Sequence, residues 1–186
     1  MTTHIFLRGK EVVLRPPSET DIPLLTKWMN DPEIRPFMRR SFPVTEQNQR
    51  DWLESLSHKS TTEIVLIIVV KERPIGTISL KDINLIDRTA ETSTVIGERD
   101  CWERGYATDA KMALLDHAFN VLNLRKVISR VKAYNRRSLG YARHFGYQPE
   151  GRLRKHYFLK GRYYDELILG LFKSEWLPHW KAYHKK

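Results

Sequence analysis

A single mixed α/β domain is the fold class that this sequence predicts, and three observations lead to it. The first is alternation. Stretches with helical spacing are interleaved with short β-branched or apolar runs, in the order β α α β β β α β α β β. The second is the run from Ile64 to Val70, which has no polar break. A run of that kind suits a strand covered on both faces, and so a central place in a sheet. The third is uniformity. Across 186 residues there is no repeat and no low-complexity linker, and that length fits one domain with a sizeable core.

The elements follow in order. Lys10 to Arg15 reads as a first strand, with Val12 and Leu14 on one side, and Pro16-Pro17 stops it. Ser18 and Thr20 are candidate caps for a helix through Asn30 that buries Ile22, Leu25, Trp28 and Met29. Asp31-Pro32 breaks that helix, and the basic, aromatic stretch Glu33 to Phe42 reads as a short helix or a mobile loop. Thr45 caps a second helix to about His58, with Trp52, Leu53 and Leu56 turned inward. Thr62 to Val70 is a strand, Lys71 to Pro74 a hairpin turn, and Ile75 to Ile83 the returning strand. A turn near Asp87-Arg88 leads to a strand from Ala90 to Ile96.

The stretch from Gly97 to Phe119 carries the strongest local signal. A basic turn, Trp102-Glu103-Arg104-Gly105-Tyr106-Ala107, opens a helix to about Asn123, with Ala110, Leu114, Leu115, Ala118, Phe119 and Leu122 on one face. Strand, tight turn and helix make a phosphate-binding geometry. The first N–H groups of a helix have no partner inside it, and its dipole is positive at that end. Gly105, with no Cβ, admits an anion close to the backbone. The same residues also describe an ordinary strand-to-helix turn.

Beyond this helix, Lys126 to Ala133 is a strand. Asn135 caps a helix that turns Leu139, Ala142 and Phe145 inward, with Gly146 just past its end. Two late strands, Gly151–Leu159 and Arg162–Phe172, flank a Lys160-Gly161 turn. The domain spans 1–186, with a core over 8–173 and a basic aromatic tail over 174–186 that is a candidate helix.

Composition narrows the function classes. The formal net charge is +10, with basic clusters at Arg35 to Arg40, Arg136-Arg137, Arg152 to Lys155 and the C-terminus. Such a surface attracts nucleic acid, acidic proteins or a polyanionic cofactor, and is otherwise a solvated face. The longest apolar run falls far short of the roughly 20 residues that span a bilayer, and no signal peptide is visible. One cysteine, Cys101, excludes an internal disulfide and agrees with a reducing compartment. The expected location is the cytoplasm. The histidines show no metal-ligand spacing, so no metal site is expected.

Three blocks now carry a family resemblance. Ala90-Glu91, a strand, Ile96-Gly97, then Cys101-Trp102-Glu103-Arg104-Gly105-Tyr106-Ala107-Thr108-Asp109-Ala110 resembles the pyrophosphate-binding segment of the GNAT acyltransferases. More narrowly it is similar to the branch of ribosomal-protein and spermidine N-acetyltransferases. Asn135-Arg136-Arg137-Ser138 with Phe145-Gly146-Tyr147 resembles that branch's second block, and Phe158 to Asp165 its final hairpin. The resemblance covers nearly the whole chain, and Ile75 to Gly151 is its specific part. It implies the GNAT-type fold, a mixed, mostly antiparallel central sheet flanked by helices. Three positions depart from the pattern. Glu103 stands where the branch usually has glycine. Trp102 replaces the Gln or Arg that opens the motif. Ala142 falls where a tyrosine general acid is frequent, with Tyr141 one place off.

The resemblance further implies acetyl-CoA as co-substrate. Backbone N–H groups of Arg104, Gly105, Tyr106, Ala107 and Thr108 would hold its pyrophosphate, and Arg104 would add charge. Val95 and Ile96 would present backbone groups to the pantetheine arm and thioester, and Asn135 and Ser138 would lie on the same arm. An alkyl ammonium must lose its proton before it attacks a thioester. Glu91 is the candidate base, acting through a water, with Glu98 and Asp100 as alternatives. A strand N–H near Ile96 is the candidate oxyanion donor. Cys101 has no identifiable His or acidic partner, so a covalent acyl-enzyme is not expected.

The function so implied is direct acetyl transfer to a primary amine: a protein N-terminus, a polyamine or an amino sugar. Two readings compete. One is a basic nucleic-acid-binding module built on the Arg152-to-Tyr164 hairpin. The other is an acyl-CoA-binding protein without catalysis, marked by Glu103 and Ala142. The expected partners are acetyl-CoA and a small-molecule amine or protein N-terminus, with a homodimer left open. Neither a membrane nor a specific nucleic acid is expected.

Overall fold

The computed structural model describes residues 4–39 and 41–185. Arg40 and Lys186, which belong to two of the basic clusters, lie outside the described residues. Among the described residues eight strands form the sheet: β1 (Leu7–Arg8), β2 (Val13–Arg15), β3 (Ile64–Val70), β4 (Arg73–Asn84), β5 (Thr89–Ile96), β6 (Lys126–Lys132), β7 (Gln148–Leu159) and β8 (Arg162–Phe172). Five α-helices accompany them among the described residues: α1 (Ile22–Asn30), α2 (Glu46–His58), α3 (Tyr106–Asp116), α4 (Arg136–His144) and α5 (Lys173–Lys185). The strands neighbour one another in the order β1-β2-β3-β4-β5-β6-β8-β7. β5 and β6 run parallel, while β1/β2, β2/β3, β3/β4, β6/β8 and β7/β8 are antiparallel. This is the mixed, mostly antiparallel sheet expected from the sequence.

The chain divides into two compact units, and β4 and β5 each contribute to both. The first holds the residues up to Lys81 together with Ser93–Leu114. Its core gathers Leu25, Trp28, Ile34, Ile67 and Val69, with Trp52, Val95 and Trp102 packed against them. Leu66 to Val70 are all buried, as the unbroken run predicted. The β3–β4 connection is a two-residue turn, with Val70 opposite Arg73 and both Lys71 and Glu72 at positive φ (48° and 66°). Thr45 caps α2 by accepting from the Asn48 N–H, as predicted. At α1 the expectation shifts. Ser18 opens a 3-10 turn, Glu19–Asp21, and Asp21 then precedes the helix. Asp21 is buried against Arg15, which binds both its oxygens at 2.6 and 2.7 Å.

The second unit holds Asp82–Thr92 and the chain from Leu115 onward. The parallel register of β5 on β6 runs from Thr89↔Lys126 to Glu91↔Ile128. β8 lies between β6 and β7, paired along Lys126↔Phe172 to Lys132↔Glu166 on one side and Gln148↔Gly170 to Leu159↔Arg162 on the other. Asn135 caps α4 by accepting from the Ser138 N–H, and Ala142 and Phe145 are buried. Gly146 follows at φ 93°, the left-handed exit expected of that glycine. The tail is helical. Trp176 of α5 is 0% exposed and stacks at a tilt on Phe119, ring centres 5.2 Å apart.

Two further sequence readings change. Lys10 and Glu11 are not strand but the turn before β2, held by a side chain from elsewhere in the chain. The long helix stops at Asp116 and continues as one π-helical turn, His117–Val121. It also has no solvent face along its middle. Asp109 to Leu115 are buried all round, so a one-sided stripe understates the burial.

Candidate active site

The first unit builds the strand, turn and helix. Trp102 leaves the 3-10 turn Arg99–Cys101 and sends its indole N–H to the carbonyl of Ile96 at 2.9 Å. That bond ties the end of β5 to the start of the loop. Gly76 on β4 has no side chain, and one there would collide with the Val95 carbonyl, so the Val95 backbone lies tight against the neighbouring strand. Glu103 sits at φ 61° and is exposed. A left-handed residue at this place is cheapest as glycine, which accounts physically for the glycine usual in the branch. Arg104 is exposed and donates its Nε–H to the carbonyl of Asp100 at 2.6 Å.

Gly105 follows at φ 85°, and a Cβ placed on it would have no heavy atom within 4 Å. Its carbonyl accepts the first α-helical bond, from the Asp109 N–H at 3.0 Å. The space in front of the α3 N-terminus is therefore open at the point where a side chain would fill it. A helix of this length presents N–H groups and a positive dipole end there. A helix start with open space before it is a place where an anion is stabilised.

Asp109, in the first turn of α3, anchors this helix end. Its Oδ1 accepts from the Lys10 N–H at 2.8 Å, and its Oδ2 from the Glu11 and Val12 N–H groups at 2.7 and 2.9 Å. Lys111, two residues on, is 3% exposed, and burial pushes its ammonium down to about 7.

The two alternative bases in this unit are committed to other partners. Glu98 accepts from Trp28 Nε1 at 2.8 Å, Lys27 Nζ at 2.9 Å and Arg73 at 2.6 Å. The Trp28 bond, then Lys27 and Arg73, hold its carboxyl below the usual range against the opposing effect of burial. Asp100 accepts from both terminal nitrogens of Arg73 and is held low chiefly by that pair. Carboxylates so held are poor proton acceptors. Cys101 is buried, which pushes its thiol up, away from the thiolate that a nucleophile needs. It lines a cavity of about 250 Å³ with Lys71, Arg73, Arg104 and Tyr106.

The second unit holds Glu91, Asn135 and Ser138. Glu91 stands at the last parallel pair of β5 on β6, half-buried, and its Oε2 accepts from Arg130 Nε at 3.2 Å. Asn135 uses its Oδ1 on the Ser138 N–H at 3.1 Å, so both residues of the Asn-x-x-Ser motif meet in one cap. Ala142 is buried. Tyr141 projects to a different side of α4 and lies edge-on to Phe145, centroids 4.9 Å apart. Tyr147 is buried with its hydroxyl 2.9 Å from Thr92 Oγ1, and burial pushes it well above the usual phenol range.

Val95, Ile96, Arg104, Gly105, Tyr106, Ala107 and Thr108 thus belong to one unit, and Glu91, Asn135 and Ser138 to the other. Sequence reasoning missed Arg130 and Glu166, and placed Tyr157 only on the basic hairpin; the three join Glu91 in a polar cluster. One signal was available. Asp165 and Glu166 are a pair of carboxylates directly before the apolar run Leu167-Ile168-Leu169.

Comparison with known proteins agrees with this fold. Residues 11–148 match the family described as acetyltransferase (GNAT) domain. The N-acetyltransferase p20 of Bacillus licheniformis, itself uncharacterised, is 28% identical over 175 residues, 91% of this chain and 97% of p20. Spermidine N(1)-acetyltransferase of Escherichia coli K12 is 30% identical over 107 residues, 58% of this chain and 57% of that enzyme. Among solved structures, spermidine N-acetyltransferase from Vibrio cholerae, in complex with CoA and spermine, superposes with a TM-score of 0.83 at 23% identity. That match covers 91% of this chain and 99% of the other, and at such identity it speaks to fold alone.

Proposed function

The chain belongs to the GNAT acetyltransferase family, and from that premise we propose that it transfers the acetyl group of acetyl-CoA directly to a primary amine. The observation that carries the donor side is Gly105, at φ 85° with open space before the α3 N-terminus. In this reading the backbone of Arg104 to Thr108 receives the pyrophosphate, and the Arg104 guanidinium adds charge. Val95 and Ile96 lie along the pantetheine arm. The Asn135 and Ser138 cap is a further contact for that arm.

The reaction balances without a covalent enzyme intermediate. Glu91 takes the proton of the ammonium through a water, and the amine nitrogen attacks the thioester carbon. The C–N bond forms and the C–S bond breaks, the attacking nitrogen gives its second proton to water, and CoA leaves as a thiolate that takes a proton back from water. The alternatives, Glu98 and Asp100, are held low by their partners.

For the acceptor we favour a protein N-terminus or a neutral amine over a free polyamine. The net charge of +10 repels a polycation. Arg152, Arg154, Lys155, His156 and Arg162 of the last hairpin are exposed. No described helix is long and apolar enough to cross a membrane. With a single cysteine, the cytoplasm is the location we propose.

A thermal unfolding series with acetyl-CoA tests the donor side. At about 100 times its dissociation constant, a ligand specific to the native state adds roughly 2.7 kcal/mol. Gly105→Val should abolish most of the shift. An unchanged melting temperature in millimolar acetyl-CoA would sink the reading. Turnover with an amine panel then separates transfer from binding without catalysis.

A further inference from the structure

A continuous chain of polar side chains crosses four strands of the second unit. Glu91 on β5 accepts from Arg130 Nε on β6 at 3.2 Å. The same guanidinium donates from Nη1 to Glu166 Oε2 on β8 at 3.2 Å. Glu166 Oε1 accepts from the Tyr157 hydroxyl on β7 at 2.5 Å. His156 Nε2 stands 3.9 Å from the same carboxylate. The sheet register makes this geometry possible. Arg130 lies opposite Ile168, and Glu166 opposite both Lys132 and Leu153, so the two charged residues sit on one face, one pleat apart.

The burial of these groups is uneven. The Glu166 side chain is 4% exposed and that of Arg130 36%. A buried carboxylate must keep a hydrogen-bonded cation, because removing its partner leaves an uncompensated charge. Glu166 therefore holds one arm of Arg130 firmly. Guanidinium is planar and its donors have a fixed fork. Fixing Nη1 on Glu166 thus fixes the direction of Nε, which meets Glu91. A base that works through a water needs its carboxylate plane set, and a bond to one oxygen sets it.

We propose that Arg130 is a positioning residue for Glu91, and that Glu166 and Tyr157 hold it in that role. This rests on the reading of Glu91 as the base. It brings the last hairpin into the catalytic geometry, although neither of its two residues touches the reacting atoms. The competing account makes Arg130 only the counter-ion that Glu166 requires, with Glu91 a bystander.

The test follows CoA thiol release from acetyl-CoA, with an unblocked Ala-initiated peptide, spermine and glucosamine as acceptors. The fastest acceptor is carried into the variants. Glu91→Gln should lose about 100-fold in kcat, the usual contribution of a general base. Arg130→Gln should lose about 10- to 100-fold in kcat, the scale of a misplaced group, with KM for acetyl-CoA unchanged. The double variant should be no slower than Glu91→Gln alone, since coupled residues are not additive. Tyr157→Phe removes only a hydroxyl, folds if the others do not, and should lose several-fold in kcat. A wild-type kcat for Arg130→Gln or Tyr157→Phe, with Glu91→Gln slow, overturns the positioning role and leaves the base in place. So does a loss on Arg130→Gln that adds in full to that of Glu91→Gln. Wild-type turnover by Glu91→Gln, or no thiol release with any acceptor from folded protein that binds acetyl-CoA, overturns both.

Discussion

A methyl group on Gly9 would stand 2.6 Å from Oδ2 of Asp109, so the backbone at Gly9 and the first turn of α3 are in direct apposition. The turn after Gly9 delivers three N–H groups to that carboxylate. Asp109→Ala leaves buried donors unpaired, and each such loss costs about 1–3 kcal/mol. A destabilisation of at least about 2 kcal/mol is expected in denaturant unfolding, with Gly9→Ala also destabilising. Acetyl-CoA affinity should fall too, because the anchored helix end is the proposed anion seat. A change in stability under about 0.5 kcal/mol, the level of an ordinary surface substitution, would refute the anchor.

Glu103 brings a carboxylate and a left-handed backbone to the loop before α3. Glu103→Gly removes both the charge and the conformational strain. A single exposed charge contact is worth about 0.2–1 kcal/mol, so acetyl-CoA should bind up to about fivefold more tightly. Calorimetric titration reads this directly. Weaker binding by the variant would mean that Glu103 assists the ligand.

Ala142 and Tyr141 give paired expectations. Ala142 is buried close to Phe145, so Ala142→Tyr overpacks the second unit at a cost of about 1–3 kcal/mol. Tyr141 contacts Phe145 through its ring, and Tyr141→Phe keeps that contact. Tyr141→Phe should keep most of kcat. A hundredfold loss with the fold and acetyl-CoA binding intact would make Tyr141 the general acid.

Lys111 predicts a pH dependence of stability. Its ammonium has a pKa near 7 in the fold, against 10.5 for an ordinary lysine. Between those values the unfolded chain binds more protons than the folded one, so stability rises with pH. The contribution is fully present above 10.5 and is lost as pH falls through about 7. Urea unfolding across this window should show the rise, and Lys111→Met should flatten it. Parallel curves for the two proteins would refute the assignment.

Most of the secondary structure was legible because local chemistry specifies it. Asn135 and Thr45 cap where their side chains reach an N–H three residues on. Gly146 ends α4 because only glycine takes that φ cheaply. The apolar run declared its own burial over Leu66–Val70. The turn before α3 was legible through Gly105 for the same reason. What stayed hidden depends on partners far away in the chain. Nothing near Lys10 says that its N–H meets a carboxylate 99 residues on. Likewise Arg130 finds Glu91 and Glu166 at separations of 39 and 36 residues, which only the strand order decides. The burial of Lys111 was missed because one stripe of helical spacing cannot report a helix covered on every side.

The place of β8 bears on how the chain is assembled. β7 is synthesised before β8, yet β8 is the strand that separates it from β6. Until β8 emerges, β7 has no neighbour, and the β8-facing edge of β6 is an open template for other chains. The short Lys160-Gly161 turn makes a local hairpin of β7 and β8, so the pair can form first and dock on β6 as one piece. Late docking of this kind predicts that a ribosome-stalled chain ending inside β7 would resist proteolysis in its first unit while its second remained cleavable. Biogenesis of the protein would then be limited by the arrival of a single strand.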